Sequence, residues 1–162
     1  MADYVLDTFW QVAAGPETIW PALTAVEEWP VWWRGVLAVE RLEEGDSSGL
    51  GRRYRTTWRG WLPYTLTFET ETTQIEHPVL IEGQAHGQLR GTGTWRLWPD
   101  GEATQVHYRW AVCTTQPWMN ALAPLARPIF RWNHDAIMRW GAEGLSRRLN
   151  VPVRFAVGAS GR

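Results

Sequence analysis

The pattern of hydrophobic and polar positions divides the chain into a long β-type region and a helical end. Residues 3–13 alternate and stop at Gly15, which predicts a first strand. Pro16 suits a first helical turn and predicts a helix to about residue 26, with a short second helix over 27–33. Six further alternating segments, separated by turn residues, predict an antiparallel meander: 36–43, 51–58, 64–73, 79–85, 88–98 and 104–114.

After Pro117 the pattern becomes helical and stays so to about residue 150. Only this helix is long enough to cover the apolar face of a seven-stranded sheet, and a twisted sheet of that size curls. The sequence therefore predicts one α+β domain over residues 1–155, a curved seven-stranded antiparallel sheet around a long C-terminal helix, with residues 156–162 as a flexible tail. One face of the helix is predicted to lie on the sheet: Leu122, Ala126, Ile129, Asn133, Ile137, Trp140 and Gly144.

Composition and charge narrow the choice of partner. The net charge is −1, which gives no electrostatic reason to expect nucleic acid as a partner. Thirteen tryptophans are a large excess, and side chains of this size either fill a core or form the wall of an aromatic pocket. Because a single helix cannot fill the concave side of such a sheet, we expect a central space that holds large side chains or a ligand.

Several chemistries are excluded or disfavoured by residue type. All sixteen basic residues are arginine, which excludes Schiff-base catalysis and a P-loop lysine. Cys113 is the only cysteine, so no internal disulfide or multi-cysteine metal site can form, and a reducing cytoplasm fits best. The chain shows neither a signal-peptide pattern nor an apolar run long enough for a membrane span, so no integral membrane association is expected.

Beyond the order of elements, several segments are distinctive: 29–36, 49–51, Trp58 with 62–68, 87–97, 104–112, and 130–135 with Met138. Together they resemble the START/Bet v 1-like (SRPBCC) superfamily, and within it the polyketide cyclase/dehydrase-like branch. The resemblance covers about residues 4–150. It implies the helix-grip fold and a deep cavity between the sheet and the last helix, but no catalytic signature, and fold alone does not fix function.

Strand parity predicts which aromatic side chains face this cavity. In the last strand of the meander Tyr108 and Trp110 share the apolar parity, whereas His107 and Arg109 fall on the other side. Gly91 and Gly93 share the parity of Trp95, and missing side chains there are expected to leave room. The full set of predicted ligand-binding residues is Trp58, Tyr64, Phe68, Trp95, Tyr108, Trp110, Ile129, Phe130, Asn133, His134 and Ile137. The alternative, that these aromatics simply fill a core, stays open.

Two polar side chains on the helix are the main candidates for chemistry. Asn133 lies on the apolar stripe and must find hydrogen-bond partners, either in a ligand or in a neighbouring hydroxyl or water. His134 flanks the stripe and is the best general-base candidate among the four histidines, although a lone helical histidine is more often structural. No histidine has a metal-ligand spacing and no dinucleotide motif opens a helix, so neither a metal nor a cofactor is predicted.

Three hypotheses for function follow. The first is a binding protein that holds a small hydrophobic molecule, lipid-like, aromatic or polyketide-like, in the cavity. The second is a polyketide cyclase/dehydratase-type enzyme that uses the same cavity, with His134, Asn133 or Tyr108 acting on a carbonyl. The third is an interaction module with a collapsed cavity and an exposed docking patch over residues 29–33. The sequence does not decide whether the protein is an enzyme, and a homodimer is compatible with it.

Overall fold

The computed structural model describes residues 3–158, which form an eight-stranded, wholly antiparallel sheet and four α-helices. The strands are β1 (Asp3–Val12), β2 (Val36–Glu43), β3 (Arg53–Trp58), β4 (Leu66–Glu76), β5 (Leu80–Gly87), β6 (Leu89–Asp100), β7 (Ala103–Thr114) and β8 (Val153–Val157). The helices are α1 (Pro16–Thr24), α2 (Trp29–Trp32), α3 (Pro117–Ala121) and α4 (Ala123–Leu149), and a single 3₁₀ turn, Val26–Glu28, joins α1 to α2. This arrangement confirms the predicted helix-grip architecture.

The strand order is β2-β3-β4-β5-β6-β7-β1-β8, so the meander from β2 to β7 is extended by the two ends of the chain. β1 pairs along its whole length with β7, from Asp3 opposite Cys113 to Val12 opposite Thr104. The hairpin between β6 and β7 turns at Gly101, whose φ of +62° is a conformation that glycine adopts without strain. Inward and outward residues alternate along β7 as predicted, with Val106 and Trp110 buried and Arg109 exposed.

The predicted count of seven strands was wrong, because the sheet has an eighth strand, β8, after the last helix. Asn150 adopts a left-handed conformation that ends α4, and β8 then pairs antiparallel with β1 from Val153 opposite Val12 to Val157 opposite Thr8. The strand thus includes the first two residues of the segment predicted to be a flexible tail. Residues 159–162 lie outside the described part of the chain.

The helical end also differs from the prediction in one respect. The continuous helix expected after Pro117 is divided at Leu122 into the short α3 and the 27-residue α4. Backbone hydrogen bonds from Leu122 N to Trp118 O and from Ala126 N to Leu122 O keep the path helical across the junction. The α3 and α4 segments therefore present their side chains along one nearly continuous surface.

The packed core occupies the half of the domain where α1, α2 and the C-terminal half of α4 meet β1 and β6. Trp10 and Trp33 meet at 5.5 Å in an edge-to-face arrangement, and Ile19, Leu23 and Leu145 are fully buried around them. Burial of Trp32 and Trp33 shows that the exposed docking patch considered for residues 29–33 was wrong. The tryptophans of this segment help to close the core instead.

Candidate functional site

An apolar cavity of about 120 Å³ separates the sheet from the N-terminal half of α4. Its walls come from β1, β3, β4, β6 and β7 on the sheet side and from α2, α3 and α4 on the other. The lining residues are Tyr4, Leu6, Trp29, Trp33, Trp58, Tyr64, Leu66, Phe68, Leu89, Trp95, Tyr108, Trp110, Val112, Thr114, Met119, Phe130, Asn133, His134, Ile137 and Met138.

The cavity exists because α4 lies close to the sheet at one end only. A Cβ added to Gly141 would come within 2.5 Å of the Trp33 ring, and one added to Gly144 would overlap the carbonyl oxygen of Trp32. These glycines let the C-terminal half of α4 pack directly on the aromatic core. The N-terminal half carries larger side chains, such as Phe130 and His134, and leaves a gap between itself and the concave side of the sheet.

A second space of about 250 Å³ adjoins the first on the side of α1 and the β2–β3 loop. Its lining is more polar and includes Arg52, Tyr54 and Glu71. Six aromatic residues line both spaces and form the partition between them: Trp29, Trp58, Phe68, Trp95, Tyr108 and Trp110. The concave side of the sheet therefore offers an apolar chamber beside α4 and a wider, more polar one next to it.

Three rings of the partition, on β6 and β7, form a stack. Tyr108 stacks on Trp95 at 4.2 Å between ring centroids and on Trp110 at 6.0 Å. Gly93 makes room for this stack, since a Cβ there would lie 2.9 Å from both the Trp110 ring and Tyr108 Oη. The room predicted at Gly93 is thus largely used by neighbouring rings, and Gly91 leaves none, because a Cβ there would overlap the backbone of Ala111.

Tyrosine hydroxyls are the main polar groups of the apolar chamber. Burial raises the pKa of Tyr64 to about 12, raises the pKa of Tyr4 and raises the pKa of Tyr108 far above its ordinary value. All three hydroxyls are therefore protonated near neutral pH and available as hydrogen-bond donors. Tyr4 Oη is buried and has no hydrogen-bond partner in the protein.

His134 brings an imidazole to the same chamber. Its Nδ1 is buried without a hydrogen-bond partner, and the nearest carboxylate oxygen, Asp135 Oδ1, is 3.5 Å away, longer than an ordinary hydrogen bond. Phe130, one helical turn earlier, packs against the Tyr4 ring at 6.1 Å. Tyr4 on the sheet side and His134 on the helix side thus bring two unsatisfied polar atoms to the lining of one chamber.

Asn133 has a structural contact that sequence reasoning did not foresee. Its Oδ1 accepts a hydrogen bond from the backbone N–H of Leu62 at 3.2 Å, and its side chain fills the space that a Cβ on Gly60 would need. Nearby, Arg34 lies over the rings of Trp61 and Trp140 at 4.9 and 4.2 Å. These contacts fasten the β3–β4 loop to α4 and position Tyr64 in the cavity wall.

The structure brings together all the predicted site residues except Ile129. Ile129 is 49% exposed and lines neither chamber, so its predicted place in the cavity was wrong. The inward face of α4 runs through Phe130, His134 and Ile137, about 100° around the helix from Ile129. Leu122 is exposed for the same reason, because the apolar stripe inferred from periodicity was rotated away from the true inward face.

Several lining residues were not predicted. Tyr4 and Leu6 have the inward parity of β1, in which residues 4, 6, 8, 10 and 12 are all buried, so strand alternation could have identified them. Met119 and Met138 carry no such signal, because their positions depend on the break at Leu122 and on the tilt of α4.

No group of three or more metal-ligating side chains occurs within residues 3–158. Within that range, every helix falls short of the length and apolar character that crossing a bilayer requires.

The fold and the cavity together define a helix-grip protein with an internal space between its sheet and its long helix. Residues 6–150 match the family described as polyketide cyclase / dehydrase and lipid transport. Because this match covers most of the chain, the protein belongs to that family.

Solved structures agree on the fold. The Zhui aromatase/cyclase from a Streptomyces species superposes with a TM-score of 0.75 at 17% identity, over 92% of this chain and 94% of that one. A START superfamily protein from Mycobacterium smegmatis gives 0.72 at 16% identity, over 90% and 97%. Norcoclaurine synthase from Thalictrum flavum, solved with dopamine and hydroxybenzaldehyde, gives 0.62 at 15% identity, over 92% and 87%. At these identities the likeness shows the fold alone. The curated proteins contain no match to the chain.

Proposed function

We propose that the protein binds a small, largely apolar aromatic molecule that carries a hydroxyl or carbonyl group. The observation that carries this proposal is the cavity beside α4, which combines a wall of aromatic rings with buried polar atoms that have no protein partner. Apolar ligands enter such sites because burying their surface removes it from water, while a few polar groups fix their orientation.

The size of the space supports a ligand of one or two rings. A dry cavity of about 150 Å³ is enough to hold benzene, and the apolar chamber alone is close to that volume. With the adjoining chamber the space reaches the lower end of ordinary ligand pockets, roughly 300–1,000 Å³. A ligand could therefore place its rings beside α4 and extend past the Tyr108 partition.

The polarity of the walls supports the hydroxyl or carbonyl group. A buried polar atom left without a partner costs about 1–3 kcal/mol, and both Tyr4 Oη and His134 Nδ1 are in that position. A ligand oxygen that bonds either atom would recover this cost. An entirely aliphatic ligand would not.

Calorimetric titration with naphthol tests the proposal. We expect saturable one-to-one binding, and we expect Leu66→Trp, which adds a ring to the cavity wall, to weaken it at least tenfold. Leu37→Trp is the matched control, because Leu37 is exposed on β2 and lines neither chamber. Absence of naphthol binding, or equal binding by Leu66→Trp and Leu37→Trp proteins, would refute the proposal.

Tyr4→Phe tests the hydrogen-bonding part separately. Removal of the hydroxyl should weaken naphthol binding about five- to tenfold, as expected for one hydrogen bond, and leave naphthalene binding unchanged. If Tyr4→Phe weakens the binding of naphthol and naphthalene equally, Tyr4 contributes packing and not a hydrogen bond.

A cyclase/dehydratase-type enzyme is the second candidate, favoured by the imidazole of His134 in the cavity wall, whose Nδ1 is buried without a partner. An imidazole can accept a proton, whereas Tyr108, whose pKa burial raises strongly, can only donate a hydrogen bond to a carbonyl. With a polyketide-type substrate, His134→Ala and Tyr108→Phe should lower turnover more than substrate affinity. Unchanged turnover in both variants would rule out these roles.

The setting that we propose for either activity is the cytoplasm, where a lone thiol such as Cys113 stays reduced. The proposed partner is a small molecule, and neither chemistry calls on a metal or cofactor. The net charge of −1 offers nucleic acid no overall attraction.

A further inference from the structure

The second chamber, of about 250 Å³ beside α1 and the β2–β3 loop, has a positively charged side chain in its wall. Arg52 is one of the two charged residues that line it, and Glu71 is the other. Glu71 lies on β4 between Thr70 and Thr72, which also line the chamber. Because side chains alternate across a strand, the Glu71 carboxylate has the parity of the outer face, where Arg53 lies opposite it on β3. Arg52 therefore supplies the charge of the chamber wall.

The Arg52 side chain is held in place without an ion pair. Its Nε donates a hydrogen bond to the backbone carbonyl oxygen of Glu44 at 2.9 Å, and the side chain is half-buried. The neighbouring Arg41 pairs with both nearby carboxylates, that of Glu44 at 2.8 Å and that of Glu27. Within residues 3–158, no carboxylate lies within ion-pair distance of Arg52 itself. The terminal nitrogens of its guanidinium are thus left without a counter-charge.

Tyr54 places a hydroxyl group near this guanidinium. Only 4% of the residue is exposed, and its Oη is buried without a hydrogen-bond partner. Burial raises the pKa of the hydroxyl, and Arg52 is close enough for its positive charge to lower that pKa in part. The hydroxyl therefore stays protonated near neutral pH and can donate a hydrogen bond. A buried donor without an acceptor is unfavourable, so an acceptor on a ligand would stabilise this arrangement.

The rest of the lining indicates what kind of acceptor fits. Rings and aliphatic side chains, among them Phe68, Ile75 and Ile81, form much of the same wall. A carboxylate presents two oxygens in one plane, which match the fork of a guanidinium and can also accept a hydroxyl proton. A free phosphate ion would leave the apolar part of the chamber unfilled. An organic acid whose apolar body packs against the rings satisfies both parts of the wall.

We propose that the second chamber binds the carboxylate of an aromatic acid through Arg52 and Tyr54. This inference rests on the proposed function for the place of the aromatic rings, which pack against the partition between the two chambers. It adds the chemistry of the other end of the ligand. The ligand is then an acid and not a neutral aromatic molecule.

Calorimetric titration with naphthoate and with naphthamide, its neutral analogue of similar shape, tests the proposal. The wild-type chain should bind naphthoate at least tenfold more tightly, because hydrogen bonds between charged groups are stronger than those to neutral ones. This preference should fall as salt rises, since Arg52 is only half-buried. Arg52→Gln should abolish the preference. Tyr54→Phe should weaken naphthoate binding about five- to tenfold and leave naphthol binding unchanged.

Arg53→Gln is the matched control. Arg53 is the next residue along the chain, and its ion pairs with Glu43 and Glu69 lie outside the second chamber. This variant should keep the full preference for naphthoate. Naphthol binding by Arg52→Gln protein checks independently that the variant is folded.

Equal binding of naphthoate and naphthamide by the wild-type chain would overturn the carboxylate site. So would a preference in Arg52→Gln protein as large as that in Arg53→Gln protein. If naphthol still binds in either case, the proposed function of the apolar chamber stands. If naphthol does not bind but naphthoate is preferred and depends on Arg52, the carboxylate site stands and the proposed function fails.

Discussion

At the scale of single residues, the tyrosine hydroxyls distinguish the cavity from an ordinary core. Tyr64 and Tyr108 pack among other aromatic rings, and this environment disfavours their ionised forms. Their hydroxyl groups are therefore protonated and act as hydrogen-bond donors in the cavity wall. The chain has no lysine, so few groups other than tyrosine titrate between about pH 10 and 12.

Alkaline titration checks this description. Below pH 10 the Tyr64 hydroxyl is protonated in both the folded and unfolded states. From 10, its ordinary pKa, to about 12, its raised pKa, the unfolded chain releases the proton and the folded chain keeps it, so stability falls as pH rises. Denaturation at a series of pH values should show this fall, and Tyr64→Phe should make it shallower. An identical slope in the variant would show that Tyr64 is not buried in solution.

Asn133 was predicted to need a hydrogen-bond partner, but the partner itself, the Leu62 N–H, was not predicted. Asn133→Ala removes the acceptor for the Leu62 N–H, a bond of about 1 kcal/mol or more, so hydrogen exchange at Leu62 should become roughly five- to tenfold faster. Ile129→Ala on the same helix should leave that rate unchanged, because Ile129 is exposed. Equal exchange in the wild-type and Asn133→Ala proteins would mean that the loop is not fastened there.

Strand alternation predicted most of the site at this scale. It placed Tyr108, Trp110 and Trp95 inward, because a half-buried strand can expose only one parity. Helical periodicity was less informative, since a helix in a hollow domain has apolar residues on more than one side. Ile129 is 49% exposed on another side of α4, and a count of apolar positions cannot separate such a position from the face toward the cavity.

At the scale of elements, α4 controls the size of the cavity. Its C-terminal half fits against Trp32 and Trp33 because Gly141 and Gly144 have no side chains. Gly144→Ala should lower the free energy of unfolding by about 2 kcal/mol, because overlap with the Trp32 backbone outweighs the helix-propensity gain of about 1 kcal/mol. Urea denaturation measures this difference.

Glu143→Ala is the control for that measurement, as Glu143 is exposed one residue away on the same helix. Its effect should stay within about 0.5 kcal/mol. If Gly144→Ala proves as stable as Glu143→Ala, the close approach of α4 to α2 does not hold.

The eighth strand gives a second prediction at this scale. The Phe155 ring is partly buried against the main core, and the Arg139 guanidinium lies over it at 5.2 Å. Phe155→Ala should therefore lower the free energy of unfolding by about 1–2 kcal/mol, part of the cost seen for fully buried phenylalanine. Arg154→Ala, at an exposed neighbouring position, should change it by less than about 0.5 kcal/mol. If Phe155→Ala and Arg154→Ala change the free energy of unfolding equally, the placement of β8 is contradicted.

The order of elements could be predicted from the sequence because each turn from Gly35 to Gly101 is marked by glycine or proline and each strand alternates. β8 was missed although Val153 and Phe155 alternate with polar or small residues, since five residues at a chain end resemble a tail. Its pairing with β1 is a long-range contact that no local pattern encodes.

At the scale of the whole molecule, one sheet serves two purposes. Its β1 and β6 half packs against α1, α2 and the C-terminal half of α4, and this tryptophan-rich core stabilises the fold. The other half stays hollow beneath residues 130–138 of α4. The hollow depends on the tilt of one helix over the sheet, which is why its existence could be predicted but not its volume.

The most direct test of the central claim, that the hollow half admits a small aromatic molecule, uses the methionine methyl groups. The chain has three methionines, and Met119 and Met138 both line the apolar chamber. In methyl-labelled protein, naphthol should shift the signals of both Met119 and Met138 through ring currents, with one shared dissociation constant. Signals from both methyl groups that stay unmoved at saturating naphthol would contradict the account.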